Sequence, residues 1–253
     1  YNAGGARYNS RYIQFVGLGS ITDCFSSLKK HVFEDQTLTM DRMLQILADN
    51  FEGHEAERQM FLNKTPKYGN DDDRADSLIM GMFEIIYELV NGRPTPIGGQ
   101  YRVEMLPTTC HVYFGAVTGA TADGRKAGVA LSEGISPVQG ADRKGPTAVI
   151  KSAAKLDQLR TGGALLNQKF TPSVLAGETG LAGLDFVDDE VVGIAERRRH
   201  DRAVAVAHLA DHVHAGLDAA RLRVVQKPRH PCAVFRVGRV QRGKQQDVAS
   251  VQD

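Results

Sequence analysis

The side chains best suited to chemistry lie in one short stretch, LPTTCH, at residues 106–111. Thr108 and Thr109 are separated by Pro107 alone from the run Tyr101 to Leu106, which predicts a short strand. A hydroxyl at the carboxyl end of a strand can hydrogen-bond a polar substrate in an otherwise dry cavity. Alternation along an extended chain places His111 on the same face as Thr109. We therefore expect Thr108, Thr109 and His111 to bind a small-molecule substrate.

Each of these residues also has a structural alternative. The two threonines can instead cap the end of the strand, and His111 can make a satisfied hydrogen bond within the core. Cys110 lies between them, but a buried cysteine usually behaves as an inert, small hydrophobic residue. The stretch is therefore predicted to supply no catalytic residue.

Two other motifs suggest ligand binding but fail in detail. Residues 119–125 spell GxxxxGR, without the Lys and Ser/Thr by which a phosphate-binding loop holds phosphate and magnesium, so a structural turn is predicted. His208, His212 and His214 have the H-x3-H-x-H spacing of metal ligands on a helix, yet no glutamate lies between them as in HExxH. We interpret that spacing as accidental and predict neither a metal nor a bound cofactor.

The rest of the chain predicts an α/β fold, because helical segments alternate with short apolar runs. Apolar residues at helical spacing predict helices over 20–34, 39–51, 55–63 and 72–91, and from Pro146 to about Leu159. Predicted strands cover Tyr101 to Leu106, His111 to Gly115 and Leu165 to Phe170. Twelve glycines lie between Asn91 and Phe170, a density that indicates a segment shaped around a site.

Composition excludes several classes of partner. A net charge of +1, from 31 basic and 30 acidic residues, creates no field to attract nucleic acid or an anionic membrane. Arg197 to Arg199 lack the interleaved aromatic side chains of a nucleic-acid-binding surface. No apolar run approaches the roughly 20 residues that cross a bilayer. Three widely spaced cysteines form neither a disulfide framework nor a zinc site, so we expect a cytoplasmic protein.

Five phrases of the sequence resemble a known family. They are YGNDDD at 68–73, NGRPTP with GGQYRVEMLPTTCHVYFG at 91–115, TGATADGRKAG at 118–128, SEGISPVQGAD with GPTAV at 132–149, and TGGALLNQKF at 161–170. Over residues 1–184 these phrases, in this order, resemble the C-terminal third of the glycyl radical enzymes, the family of pyruvate formate-lyase and the radical dehydratases. LPTTCHVYFG and NQKFTP are most similar to the branch that dehydrates hydroxyproline.

The resemblance implies part of the second half of a ten-stranded α/β barrel. In the family a glycyl radical, installed by an activating enzyme that uses S-adenosylmethionine and an iron–sulfur cluster, oxidises a cysteine whose thiyl radical attacks the substrate. The implied reaction is loss of water from a small hydroxylated substrate such as 4-hydroxyproline. Carbon–carbon cleavage as in formate acetyltransferase, or a non-catalytic module that pairs with a separate glycyl domain, are the alternatives. The oligomeric state stays open between a monomer and a homodimer.

The composition changes near Leu184. Residues 185–253 contain no Tyr, Asn, Met or Trp, but they hold five of the eight histidines and ten arginines. A shifted reading frame in a GC-rich gene is the interpretation we favour, and a genuine basic tail is the alternative. The sequence motif of the family's glycyl loop is absent from this tail, and the resemblance places the family's cysteine loop upstream of Tyr1. We therefore expect neither radical residue in this chain.

The first prediction concerns the radical itself. The purified chain, treated with a glycyl radical activating enzyme, is expected to give no glycyl radical signal in electron paramagnetic resonance spectra, because the glycyl loop wording is missing. An intact glycyl radical enzyme treated in parallel serves as the positive control. A backbone glycyl doublet from this chain would contradict the expectation.

Overall fold

The computed structural model describes residues 10–96, 98–106 and 109–168, and the backbone of residues 208 and 209. The elements follow in the order β1 (Arg11–Gln14), α1 (Leu18–Leu28), α2 (Met40–Ala48), α3 (Glu55–Asn63), α4 (Asp73–Val90), β2 (Tyr101–Glu104), α5 (Cys110–Val117), α6 (Pro146–Ala154), β3 (Asn167–Gln168) and β4 (His208–Leu209). A π-helical turn, Lys29–Glu34, continues α1, and a 3-10 turn, Gln158–Arg160, follows α6. The described chain is thus an α/β arrangement that is rich in helix and has little sheet.

The strands pair in parallel, with β2 in the middle of the main group. β1 lies beside β2, with Gln14 opposite Glu104. On the other side of β2, Met105 forms a parallel bridge with Ala164, and its N–H donates to the carbonyl of Gly163 at 2.8 Å. β3 and β4 form a second, short parallel pair. The strand predicted over 101–106 is therefore confirmed, with β2 ending at Glu104 and Met105 forming a bridge beyond it.

The helices predicted before residue 92 are confirmed, with small shifts at their ends. α1 and its π-helical turn together reach Glu34. α4 begins after Asp72, whose carboxylate accepts a hydrogen bond from the Arg74 N–H at 3.1 Å, and it buries Ile79 and Phe83 on its apolar face. Within the described ranges no helix is long and apolar enough to span a membrane.

The strand predicted over residues 111–115 is wrong, since these residues lie in α5. A short apolar run does not distinguish a strand from a segment of helix. The helix lets Gly115 approach Ala130 so closely that an added Cβ would lie 2.6 Å from the Ala130 Cα. It also leaves Tyr113 and Val117 exposed, at 69% and 85%, so this run does not fill a core as a buried strand would.

Two later predictions hold in part. The helix predicted from Pro146 to about Leu159 ends at Ala154, just before Lys155 forms an ion pair with Asp76 in α4. Of the strand predicted over 165–170, only β3 has strand geometry among the described residues, and residues 169 and 170 lie outside them.

Two apolar clusters form the core of the described chain. The larger packs α4 against β2 and α6 around Ile79, Val103 and Val149. The smaller packs α2 against α3 around Ile46 and Phe61. β2 is therefore anchored inside the larger cluster, and the loop that leaves its carboxyl end begins from a rigid base.

A short loop, residues 67–70, fastens the glycine-rich segment that follows α5. The Tyr68 hydroxyl, itself buried, donates to the Ile135 carbonyl at 2.8 Å. The Asn70 amide donates to the Ala141 carbonyl at 2.8 Å and accepts from the Arg143 N–H at 2.7 Å. The phrase YGN therefore stabilises residues 132–144 through hydrogen bonds that span more than 60 positions of sequence.

A buried carboxylate lies beneath this loop. One oxygen of Asp23 accepts a hydrogen bond from the Tyr68 N–H at 2.9 Å, and the other lies 3.8 Å from Lys67 Nζ, with no hydrogen-bond partner among the described residues. Lys67 Nζ also donates to the Asp123 carbonyl at 2.9 Å. Because burial outweighs the attraction of Lys67, the pKa of Asp23 is raised to about 7.

We predict that Asp23 makes stability depend on pH between about 4 and 7. The pKa of Asp23 in the folded state is raised above the ordinary aspartate value of 3.8, so the folded state binds more protons than the unfolded state in this range, and the contribution is lost as pH rises to about 7. Asp23→Asn is expected to remove this dependence, with a change on the order of a few kcal/mol across the range. Urea unfolding at each pH measures it.

Asp35→Asn is the matched control. Asp35 is exposed, and its hydrogen bond with Lys30 lowers its pKa, so its contribution has the opposite sign: it is lost as pH falls. If Asp23→Asn and the parent chain keep the same pH dependence of unfolding, the assignment to Asp23 is wrong.

Candidate functional site

The candidate site lies where the parallel strands end. β1 ends at Gln14, β2 leads through Met105 toward Thr109, and the neighbouring segment on the other side passes Leu165. Carboxyl ends of parallel strands meet at one edge of a sheet, and ligands of α/β proteins bind outside that edge. The edge thus brings together residues that are distant in sequence.

Residues 132–136 cross this edge in close contact with the strands. The Ile135 N–H donates to the Leu165 carbonyl at 3.0 Å. Gly134 has a φ of +49° and lies between two carbonyl oxygens: an added Cβ would be 3.1 Å from that of Met105 and closer still to that of Leu165. A larger residue at 134 would displace the crossing segment, so its position is fixed within a narrow range.

The crossing segment sets Glu133 beside His111. His111 Nδ1 lies 4.0 Å from Glu133 Oε2, and the two side chains are 14% and 20% exposed. Nδ1 is buried and has no hydrogen-bond partner among the described residues. Among the described residues this nitrogen therefore lacks the satisfied core hydrogen bond that was the structural alternative for His111.

A second polar group lies on the face of the sheet opposite the helices. Val103 and Met105 point into the larger apolar cluster, so alternation places Glu104 on the other face. There its carboxylate accepts a hydrogen bond from the Gln14 amide at 3.2 Å. On the same face Tyr12 is 51% exposed. Both faces of a parallel sheet are usually covered by helices, whereas on this face the described residues include polar side chains and no covering helix.

The structure places the predicted substrate residues differently from one another. Thr109 is exposed and precedes α5, and its side chain makes no capping hydrogen bond in the described structure. Its hydroxyl therefore does not cap α5, and whether it caps the end of the strand stays a prediction. His111 lies in α5, so it does not share a face with Thr109 by strand alternation. Thr108 lies outside the described residues.

Two of the cysteines lie in the described part of the chain. Cys110 is half-buried at the start of α5. Burial raises the pKa of the Cys24 thiol to about 12, which keeps it protonated and unreactive. Among the described residues no group of His, Cys, Asp and Glu has the arrangement of a metal site. His208 lies in β4 and not in a helix, and His212 and His214 lie outside the described residues.

The GxxxxGR motif is a structural turn, as predicted. The guanidinium of Arg125 is directed inward and donates to the carbonyls of Val129 at 2.6 Å and Lys126 at 3.1 Å, and to the carbonyl of Gly119. Its Nε donates to the Thr121 hydroxyl at 3.0 Å. Arg125 thus satisfies the polar backbone of its own loop and is not available to bind phosphate.

Sequence reasoning missed three of the polar side chains at the site: Gln14, Glu104 and Glu133. Glu133 lies inside the phrase SEGISPVQGAD, but no spacing rule joins it to His111. Gln14 and Glu104 are 90 residues apart, and only the parallel pairing of β1 with β2 makes them neighbours. The available signal was weak: each is a polar residue next to the end of an apolar run.

Comparison with known proteins gives consistent matches. Residues 1–115 match the family model described as Pyruvate formate lyase-like, and residues 131–197 match the one described as Glycine radical. A trans-4-hydroxy-L-proline dehydratase of Clostridioides difficile is 57% identical over 181 residues, which are 72% of this chain and 23% of that enzyme. The chain therefore spans about a quarter of the length of this curated relative.

Two solved structures superpose on most of the chain. The hydroxyproline dehydratase of Clostridioides difficile with trans-4-hydroxy-L-proline bound gives a TM-score of 0.73 at 50% identity, covering 83% of this chain and 26% of that one. The B12-independent glycerol dehydratase of Clostridium butyricum in its glycerol-bound form gives 0.70 at 36% identity, with coverage of 83% and 26%.

We predict that Arg125→Lys destabilises the fold by about 2–4 kcal/mol, because an ammonium cannot reach carbonyls on both sides of the loop as the guanidinium does. Urea unfolding measures the change. The matched control is Arg143→Lys at an exposed position, which should change stability by less than about 0.5 kcal/mol. Equal effects of the two variants would show that the Arg125 hydrogen bonds do not stabilise the loop.

Proposed function

Because the chain belongs to the glycyl radical enzyme family, we propose that its described residues form part of the substrate cavity of a radical dehydratase. The observation that carries the proposal is the 57% identity over 181 residues to a trans-4-hydroxy-L-proline dehydratase. The proposed reaction is elimination of water from a small hydroxylated substrate, with 4-hydroxyproline as the first candidate.

In this proposal β1 and β2 are neighbouring strands of a ten-stranded α/β barrel. The parallel pairing of the strands supports it, as do the helices packed on one face and the polar side chains on the other. Gln14 and Glu104 then face the barrel interior, where a polar substrate needs hydrogen-bonding partners. The barrel as a whole requires polypeptide beyond the described residues.

The strand-end residues are proposed to bind and orient the substrate. Thr109 is exposed, and its hydroxyl makes no capping hydrogen bond to α5. Thr109 and its neighbour in sequence, Thr108, can hydrogen-bond a hydroxyl or carboxylate group. His111 adds an imidazole at the start of α5. A glycyl radical, installed by an activating enzyme that uses S-adenosylmethionine and an iron–sulfur cluster, would generate the cysteine thiyl radical that abstracts a substrate hydrogen. The residues of this chain hold the substrate in place for that step.

Two alternatives keep some support. Carbon–carbon cleavage as in formate acetyltransferase is favoured by the Pyruvate formate lyase-like match of residues 1–115. A non-catalytic module that pairs with a separate glycyl domain is favoured by exposed apolar side chains on β1 and α5, namely Tyr12, Ile13, Val112, Tyr113, Phe114 and Val117. The same exposed side chains suit packing against the rest of a barrel, so they do not outweigh the dehydratase proposal.

A chimera tests the proposal. The aligned 181 residues of this chain replace their counterparts in the Clostridioides difficile enzyme, and the chimera is activated and assayed with trans-4-hydroxy-L-proline. We expect a glycyl radical signal and dehydration of hydroxyproline, because a homologous segment should complete the same cavity. The unmodified enzyme is the control for activation and for rate.

The possible results for the chimera distinguish a wrong substrate assignment from a wrong reaction class. A chimera that carries the radical but does not act on hydroxyproline would overturn the substrate assignment, and glycerol is then the next substrate to assay. A chimera that carries the radical and cleaves pyruvate, but dehydrates neither compound, would favour the carbon–carbon lyase. A chimera that folds without accepting the radical would favour the non-catalytic module.

A further inference from the structure

We propose that Glu133 is a positioning residue that acts through His111: its carboxylate accepts a hydrogen bond from Nδ1–H and thereby presents Nε2 as an acceptor for a donor group of the substrate. The part that concerns the substrate rests on the proposed function. The pairing itself rests on geometry alone, and it assigns Glu133 a role that sequence reasoning did not find.

Nδ1 of His111 lacks a hydrogen-bond partner within the described structure. A buried polar atom without a partner costs about 1–3 kcal/mol, and buried polar groups in native proteins are nearly always paired. Nδ1 of His111 is such an atom within the described structure, and Glu133 Oε2 lies 4.0 Å from it. A side-chain adjustment of roughly 1 Å brings the two atoms to the distance of a charge-assisted hydrogen bond.

Backbone contacts on either side hold His111 and Glu133 in place. The Leu131 N–H donates to the His111 carbonyl at 3.1 Å, which joins the start of α5 to the segment before Glu133. On the other side of Glu133, Gly134 is held between the carbonyls of Met105 and Leu165. Ser132 exchanges two hydrogen bonds of 2.9 Å with Ser20 in α1. Neither backbone can move away, so the side chains are confined near each other.

A carboxylate beside His111 would also determine the tautomer of the imidazole ring. In a neutral imidazole one nitrogen carries the proton and the other accepts, and the partner of the first decides which is which. A carboxylate at Nδ1 selects the Nδ1–H tautomer and leaves the lone pair on Nε2. That lone pair suits a substrate group that donates a hydrogen bond, namely a hydroxyl or an ammonium group. A hydroxylated amino acid carries both groups.

The pairing can be tested on the full chain without any activity. Nitrogen-15 spectra of labelled histidines at a pH where the ring is neutral should show the Nδ1–H tautomer for His111. Glu133→Ala should abolish that preference, whereas Glu133→Gln should keep it, since an amide oxygen also accepts. The signals of His31 and His54 report whether each variant is folded, and Glu52→Ala, at an exposed position, is the matched control. An Nε2–H tautomer, or no response to Glu133→Ala, would overturn the pairing.

The effect on the substrate is tested in the chimera. Glu133→Ala should raise KM for trans-4-hydroxy-L-proline roughly tenfold with little change in kcat or in the glycyl radical signal, and Glu133→Gln should restore most of the loss. An unchanged KM in a variant whose tautomer has changed would overturn the action on substrate while the pairing stands. If the chimera lacks activity altogether, the proposed function fails, and the spectra still decide the pairing.

Discussion

The absence of a side chain at Gly134 is the constraint on which the site depends. The crossing segment can lie against the strand ends only because no Cβ occupies the space between the carbonyls of Met105 and Leu165. That contact fixes Glu133 next to His111, and it lets Ile135 hydrogen-bond to Leu165 on one side and to Tyr68 on the other. A single steric condition thus joins α5, β2 and the 67–70 loop into one unit.

The side chains of the motifs that dominate the sequence mostly stabilise this unit. Tyr68 and Asn70 secure the crossing segment, and Arg125 closes the loop that precedes it. Each of these side chains satisfies backbone groups that an irregular, glycine-rich segment would otherwise bury without partners. The loops need this support because a site formed by irregular chain lacks the regular hydrogen bonds of helices and strands. This support has a cost at Asp23: the carboxyl group that anchors Tyr68 is buried, and one of its oxygens has no hydrogen-bond partner among the described residues.

Periodicity predicted the helices well because their apolar faces are long enough to define a period. α4 is the clearest example, with Ile79 and Phe83 buried as its spacing predicts. For residues 111–115 the apolar pattern predicted a strand where the structure has a helix. The close approach of Gly115 to Ala130 that favours the helix is a tertiary contact, which the pattern does not show. Glu133 was missed for a related reason: its partner His111 lies 22 residues earlier, and only the crossing segment makes them neighbours. Thr109 could be proposed as a site residue from the sequence because the end of an apolar strand is visible there.

The two faces of the small sheet differ: one is apolar and packed against helices, and the other carries polar side chains. One face, through Val103 and Met105, is buried against α4 and α6 and carries the apolar packing. The other carries Gln14 and Glu104, whose hydrogen bond to each other contributes little to a core but keeps polar groups oriented on an open surface. A sheet needs its second face polar only if that face meets water or a polar ligand. Thr109 and His111 lie beyond the carboxyl end of β2, at the edge where ligands of α/β proteins bind, so the proposed substrate cavity would draw on both this polar face and the strand end.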